Sequence, residues 1–314
     1  MDRKTRSNID GRQARATLIA ACLALLVFAA PAGAEAAEED STATAAASPA
    51  PTASKSGGAR LLDARVKPKR AYSFGLKQPR FWITLGASGP TDIRIDIVRA
   101  KSGLLQRSIT VDDVKPRTAT AVGWDGRSSS GAPVRGKLRF VVRGPSGKPL
   151  RFSKRYLRAA GGKKKKKGKK RTQFGFFDFI FPVRGKHSYG DGIGAPRGDH
   201  THQGQDISAR CGTKLVAAQG GTVTVNAYQA SGAGFYLVID TIGGTDMVYM
   251  HMAYRSAIPV GTVVRTGQTI GSVGTTGSSS GCHLHFEMWT PPGWYSGGTF
   301  ANPSPYLRAW DKYS

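Results

Sequence analysis

The chain has 314 residues, 39% hydrophobic content and a formal net charge of +26, which allows two domains of ordinary size and excludes wholesale disorder. The charge is unevenly spread: from Phe174 onward nine Lys/Arg stand against eight acidic residues, leaving +25 upstream. A nucleic-acid enzyme carries its basic surface around its active site, so this split argues against DNA or RNA as substrate.

At the N-terminus Arg3, Lys4, Arg6, Arg12 and Arg15 precede an apolar run from Leu18 to Ala30, then Pro31 and Ala32-Gly33-Ala34. This layout predicts a secretory signal peptide over residues 1–34, cleaved near Ala34. The alternative, an uncleaved anchor, needs ~20 apolar residues to span a bilayer, and the run is shorter. Cys22 does not end the run as a lipidated cysteine would. Residues 35–60 are Ala, Ser, Thr and Pro with almost no large apolar side chain, too little to offset chain entropy, and are expected to form a disordered tether.

Between residues 61 and 156, short alternating runs (RFWITL, DIRIDIVRA, LRFVVRG) are separated by Gly, Pro and Ser clusters. Strands at that spacing predict a small antiparallel β-sandwich. The stretch Val122 to Val142 resembles the WDGR-type hairpin of immunoglobulin-like modules in the flagellar hook-capping protein and other exported bacterial proteins. The resemblance covers one hairpin, and with no catalytic constellation in the segment a spacer or wall-facing accessory module is expected.

Residues 157–173 are expected to be a polybasic linker. Eleven Lys/Arg and no acidic residue lie between Lys154 and Arg171, and so dense a like-charge block repels itself into an extended chain. It is either a solvated connector or an electrostatic anchor for anionic wall polymers or a membrane surface.

From residue 174 to 314 β-like runs alternate with glycine turns, and helical periodicity is nearly absent apart from a short turn at Pro303 to Trp310. An all-β catalytic domain is expected. Once the signal is removed, Cys211 and Cys282 are the two thiols of an exported protein and are expected to form a disulfide across 71 residues. The competing reading makes Cys282 a metal ligand. On a strand, however, Cys282 faces away from His283 and His285.

The chemistry concentrates in this segment. His202 and Asp206 are four residues apart, a spacing that puts both on one face; His283 and His285 are two apart in an aromatic-flanked strand and share a face. Zinc accepts His nitrogen and carboxylate oxygen tetrahedrally, and a catalytic zinc keeps one position open. One histidine of the pair can complete a three-ligand site while the other reaches the attacking water. His251 follows Met247, Val248, Tyr249 and Met250, and an imidazole on so apolar a strand is costly unless it is paired or functional.

HQGQD, YMHM, the run from Val264 to Gly281 with spacing V-x-x-G-Q-x-I-G-x-V-G-x-T-G-x-S-x-G, and HLHFE together resemble the lysostaphin/LytM-type zinc metalloendopeptidases, which cleave peptidoglycan. The resemblance covers roughly residues 181–307. It implies a duplicated hybrid β motif with a groove over an antiparallel sheet, His202, Asp206 and His285 as zinc ligands, and His251 and His283 as the pair that handles protons of the attacking water. Many relatives have Pro where this chain has Cys282, a departure that suits the disulfide. A tyrosine that helps bind the oxyanion in some relatives has no clear counterpart here; Tyr189 is either a candidate for it or an exposed loop aromatic. His187 and His200 match no ligand position and are expected at a rim or in a loop, and Glu287 either orients a ligand or is structural.

The expected protein is mainly β, exported and wall-associated: a zinc metalloendopeptidase hydrolysing peptidoglycan peptides behind a small immunoglobulin-like module. The alternatives are a non-catalytic, wall-binding or hydrolase-activating member of the same family, and a protein whose basic linker is the main functional element.

Overall fold

The structure, a computed structural model, describes residues 58–153 and 170–314. The signal segment, the tether as far as residue 57 and residues 154–169 of the basic block lie outside the described residues. What is described is mainly β, and its apolar side chains separate into distinct cores.

The upstream strands are β1 (Arg60–Lys67), β2 (Arg70–Tyr72), β3 (Arg80–Gly86), β4 (Thr91–Arg99), β5 (Leu105–Val114), β6 (Ala119–Gly123), β7 (Gly136–Arg143) and β8 (Gln173–Phe177). They form a three-stranded sheet in the order β1-β3-β6 and a five-stranded sheet in the order β2-β8-β7-β4-β5. Period-2 alternation turns Phe81, Ile83 and Leu85 of β3 and Ile93, Ile95 and Ile97 of β4 into one shared core. Trp124 of the WDGR hairpin joins it, with its indole N–H donating to the Arg127 carbonyl at 2.8 Å.

β8 crosses the expected boundary at residue 174. This strand pairs antiparallel with β7 and parallel with β2, and Phe174 and Phe176 enter the upstream core beside Trp124. The alternation of Phe174, Gly175 and Phe176 suits a strand with one buried face, and the buried face it meets is that of the upstream sheet.

Downstream lie β9 (His187–Tyr189), β10 (Gln205–Ala209), β11 (Lys214–Val216), β12 (Gly221–Gln229), β13 (Gly234–Thr241), β14 (Asp246–Met252), β15 (Val263–Val264), β16 (Thr269–Ser272), β17 (His283–Trp289) and β18 (Phe300–Ala301). The short turn expected near Pro303 is a helix, α1 (Ser304–Asp311), with Pro in its first turn, where a missing N–H costs nothing. An eight-stranded sheet runs β15-β12-β13-β14-β17-β10-β9, with β18 beside β17, and β11 pairs with β16 separately.

One face of the large sheet, with Ile207, Leu237, Tyr249, Leu284 and Phe286, packs into a core shared with Leu215 of β11, Ile270 of β16 and Trp310 of α1. The opposite face carries a smaller cluster of Val238, Val248 and Trp289, with Met250 and Trp294 against it. That second face holds the polar constellation. The upstream body docks elsewhere, through Ser73 and Phe74 against Thr266 and a stacked Phe177–Tyr313 pair.

Candidate metal centre

Strand pairing assembles the centre. Asp206 of β10 lies directly opposite His285 of β17, and Ser208 opposite His283, so Asp206, His283 and His285 share one face of the sheet. His202 reaches that face from the loop before β10. Its backbone N–H donates to the Ala195 carbonyl, and Gly194 N–H donates back to the His202 carbonyl, both at 2.9 Å. Gln205 brackets this loop by donating its amide to the Gly190, Asp191 and Asp206 carbonyls at 2.9–3.0 Å.

Gly204 is dictated by close approach. A Cβ there would lie 2.6 Å from the Phe286 carbonyl oxygen and 2.7 Å from His285 Nε2. Only glycine lets the loop pass so near β17.

Three donor atoms converge. His202 Nε2 lies 3.0 Å from Asp206 Oδ1 and 2.7 Å from His285 Nδ1, and His285 Nδ1 lies 3.1 Å from Asp206 Oδ1. The outer atom of each imidazole is already committed. His202 Nδ1–H donates to the Gly192 carbonyl, and His285 Nε2–H donates to Glu287 Oε1, both at 2.9 Å. With those protons placed, two nitrogen lone pairs and a carboxylate oxygen face one another, an arrangement that calls for a cation. Ligands ~2.0–2.1 Å from a tetrahedral ion sit ~3.3 Å apart, close to the observed triangle, and the mixed N/O donor set with one open position is that of catalytic zinc.

The outer partners hold the donors in place. Asp206 keeps Oδ1 towards the centre because Arg197 Nη2 binds Oδ2 at 2.8 Å, while Arg197 Nη1 reaches Asp191 Oδ2 at 2.9 Å. Glu287 is buried; its Oε1 accepts from His285 and its Oε2 accepts from Trp289 Nε1–H at 2.7 Å. His283, His285, Glu287 and Trp289 therefore form a ladder along one face of β17.

The electrostatics favour positive charge. Burial opposes the His285 cation, but hydrogen bonds to Asp206 and Glu287 outweigh it and raise its pKa to about 9. Burial likewise opposes the Asp206 carboxylate, yet hydrogen bonds from His202 and His285 hold it well below the usual carboxylate range.

His251 reaches the centre by a route that alternation forbids. Met247 and Tyr249 face the main core, so a regular strand would turn His251 into that core too. A β-bulge intervenes: Leu237 pairs with Tyr249 and Phe235 with Met252, so Met250 and His251 together oppose Tyr236. His251 takes φ 57°, and its ring swings to the site face, 4.6 Å from the His283 ring and 6.1 Å from that of His285. Its Nδ1–H donates to the Thr276 carbonyl at 2.8 Å, leaving Nε2 as a free base. Burial lowers its pKa to about 4 and keeps it neutral near pH 7. His283 is set similarly, with Nδ1 2.8 Å from the Gly281 carbonyl and Nε2 3.6 Å from Asp206 Oδ1.

Cys211 and Cys282 are disulfide-bonded, joining the loop after β10 to the residue before His283. Tyr189 does not reach the centre. It pairs with Ile207 and packs on the main-core side beside Phe181 and Arg308, away from the position an oxyanion-binding tyrosine would need. His187 stacks on Phe181 and lies 3.3 Å from Asp311, and His200 is an exposed loop residue beside Asp199. Arg197 carried no signal in the sequence, and Gln205 and Thr276, though inside the motifs quoted above, carried no sign of the roles they play here. Each is a common residue type whose partner lies across a loop.

Residues 200–303 match the family model described as Peptidase family M23. The chain is 42% identical over 87 residues to an uncharacterized metalloprotease of Haemophilus influenzae, covering 28% of this chain and 18% of that protein. It is 32% identical over 146 residues to the L-Ala--D-Glu endopeptidase of Bacillus subtilis, covering 43% and 44%. The catalytic domain of lysostaphin from Staphylococcus simulans is 30% identical, with 39% of this chain and 92% of that one covered and a TM-score of 0.36. The chain thus spans less than half the length of these two relatives.

Proposed function

We propose, from the premise that residues 200–303 belong to peptidase family M23, that the chain is an exported zinc-dependent endopeptidase hydrolysing peptide bonds in peptidoglycan. One observation carries this reading. Three ligand atoms of His202, Asp206 and His285 converge within 4.8 Å, and two further imidazoles, those of His251 and His283, stand beside them on the same sheet face.

Zinc held by His202, Asp206 and His285 would polarise a carbonyl and lower the pKa of water from 15.7 to about 7. The chain's own residues do the rest. His251, neutral and with Nε2 free, takes the proton of the attacking water and returns it to the leaving amine, a task suited to imidazole near neutral pH. His283 Nε2 faces the same space and donates a hydrogen bond to developing negative charge when protonated. Arg197 and Glu287 fix the orientation of Asp206 and His285.

We further read the downstream body as a duplicated hybrid motif and the upstream one as an immunoglobulin-like sandwich, a reading supported by its two sheets around one core. Action outside the membrane, at the wall, is supported by the disulfide, which persists in oxidising compartments. The basic block of residues 157–173 would add attraction to anionic wall polymers or membrane.

The test is digestion of purified peptidoglycan. Soluble muropeptides should appear with the native protein and not with chelator or with His285→Ala, and their masses would identify the bond cut. Unchanged release after chelation would overturn the proposal.

A further inference from the structure

The outer face of the three-stranded sheet carries a groove of about 740 Å³. Cross-strand register builds it. Lys67 of β1 lies directly opposite Arg80 of β3, and Arg65 opposite Trp82. On the other side of β3, Trp82 faces Ala121 and Arg80 faces Gly123. These small residues leave one flank of the indole open, while the Arg65 guanidinium stands 6.0 Å from the ring on the other. Lys77 and Leu76, the latter 58% exposed, also line it.

The charge arrangement is costly without a ligand. Like charges directly opposite on a sheet destabilise it, and among the described residues Lys67, Lys77 and Arg80 form no ion pair. Arg65 is partly neutralised by Asp63, which also binds Arg171, but Asp63 does not line the groove, and no acidic residue does. The cleft therefore pairs surplus cations with a half-buried aromatic side chain.

From this arrangement we infer that the groove binds an anionic polysaccharide, a polymer whose sugar rings bear phosphate or carboxylate groups. A sugar's C–H face stacks on the open side of Trp82, while Arg80, Lys67 and Lys77 take the anionic groups and relieve the Lys67–Arg80 repulsion. An anionic membrane surface would offer the cations partners but no ring face for the indole to stack on. Single-stranded nucleic acid also offers ring faces and phosphates; the preference for polysaccharide rests on the location outside the membrane proposed above, whereas the groove itself does not.

The test is equilibrium binding of the full chain to a purified, peptide-free sugar-phosphate polymer, beside inorganic polyphosphate, single-stranded DNA and anionic phospholipid vesicles. Because the polymer contains no peptide bond, failure here leaves the peptidase reading intact, and failure of hydrolysis leaves this one intact. The Lys67→Glu/Arg80→Glu pair and Trp82→Ala should each weaken polymer binding about tenfold, while Trp82→Phe retains it and melting temperatures stay unchanged. Trp82→Ala should leave polyphosphate binding, which draws on cations and has no ring face to stack, as it was. Unchanged polymer affinity in both charge and indole variants would overturn the inference. So would an equal Trp82→Ala loss for polyphosphate or vesicles, or tighter binding of DNA than of polymer.

Discussion

Met250 and His251 are neighbours in sequence, yet both present their side chains to the same face of the sheet. Met250 pairs with His285 across β14 and β17, and His251 stands over His283. The bulge opposite Tyr236 makes this possible, and the left-handed backbone at His251 turns the ring outward. Bulges of this kind re-aim side chains next to active sites, at a cost of about 1–3 kcal/mol for a non-glycine residue in that region.

His251→Asn follows directly. Asparagine tolerates the left-handed backbone better than most residues, so the bulge and the metal should stay. The expected result is a loss of about 10²–10⁴-fold in kcat, the usual worth of a general base, with zinc content and melting temperature unchanged. Steady-state kinetics beside metal analysis checks it.

Glu287→Ala removes the acceptor that holds His285 Nε2–H and orphans the Trp289 indole N–H. Zinc affinity should fall about 10–100-fold, as when other outer partners of metal ligands are lost. A competition titration with a chromogenic chelator reads this, and native affinity in the variant would assign Glu287 a purely structural role.

Gly204→Ala puts a methyl group into the Phe286 carbonyl and the His285 ring. Both are held on β17, so the loop must move and His202 with it. Loss of about 1–3 kcal/mol of stability, with weakened zinc binding, is expected from denaturant unfolding and the same titration.

Replacing both cysteines by serine opens a loop spanning 71 residues. The chain-entropy relation gives about 4 kcal/mol of lost stability for such a loop. Because Cys282 leads directly into β17, which carries the ligand His285, the variant should also bind zinc less tightly. Chemical denaturation under non-reducing conditions measures the first effect.

How much was legible in the sequence differs from residue to residue. His283 and His285 carried their relationship in their spacing, because strand alternation turns a separation of two into a shared face; the spacing of His202 and Asp206 pointed to the same pairing, but His202 reaches the face from a loop and not along the strand. The structure adds the register that sets Asp206 opposite His285. The aim of His251 was not legible, since alternation points it into the core and the bulge depends on its pairing with β13. The pairing of β8 with β7 was hidden for a related reason: its alternation marks a half-buried strand without naming the sheet that buries it. Arg197 and the Trp82 groove were equally hidden. Neither Arg197 and Asp206 nor Trp82 and Ala121 are related by local sequence.

The central claim is that zinc on His202, Asp206 and His285 drives peptide-bond cleavage. The most direct measurement is to strip the protein of metal, titrate zinc back, and follow the new amino groups that appear in purified peptidoglycan. Cleavage should be absent without zinc, return fully near one equivalent, and stay absent in His285→Ala at the same zinc level. New amino groups released by the metal-free protein, or by His285→Ala as fast as by the native chain, would contradict it.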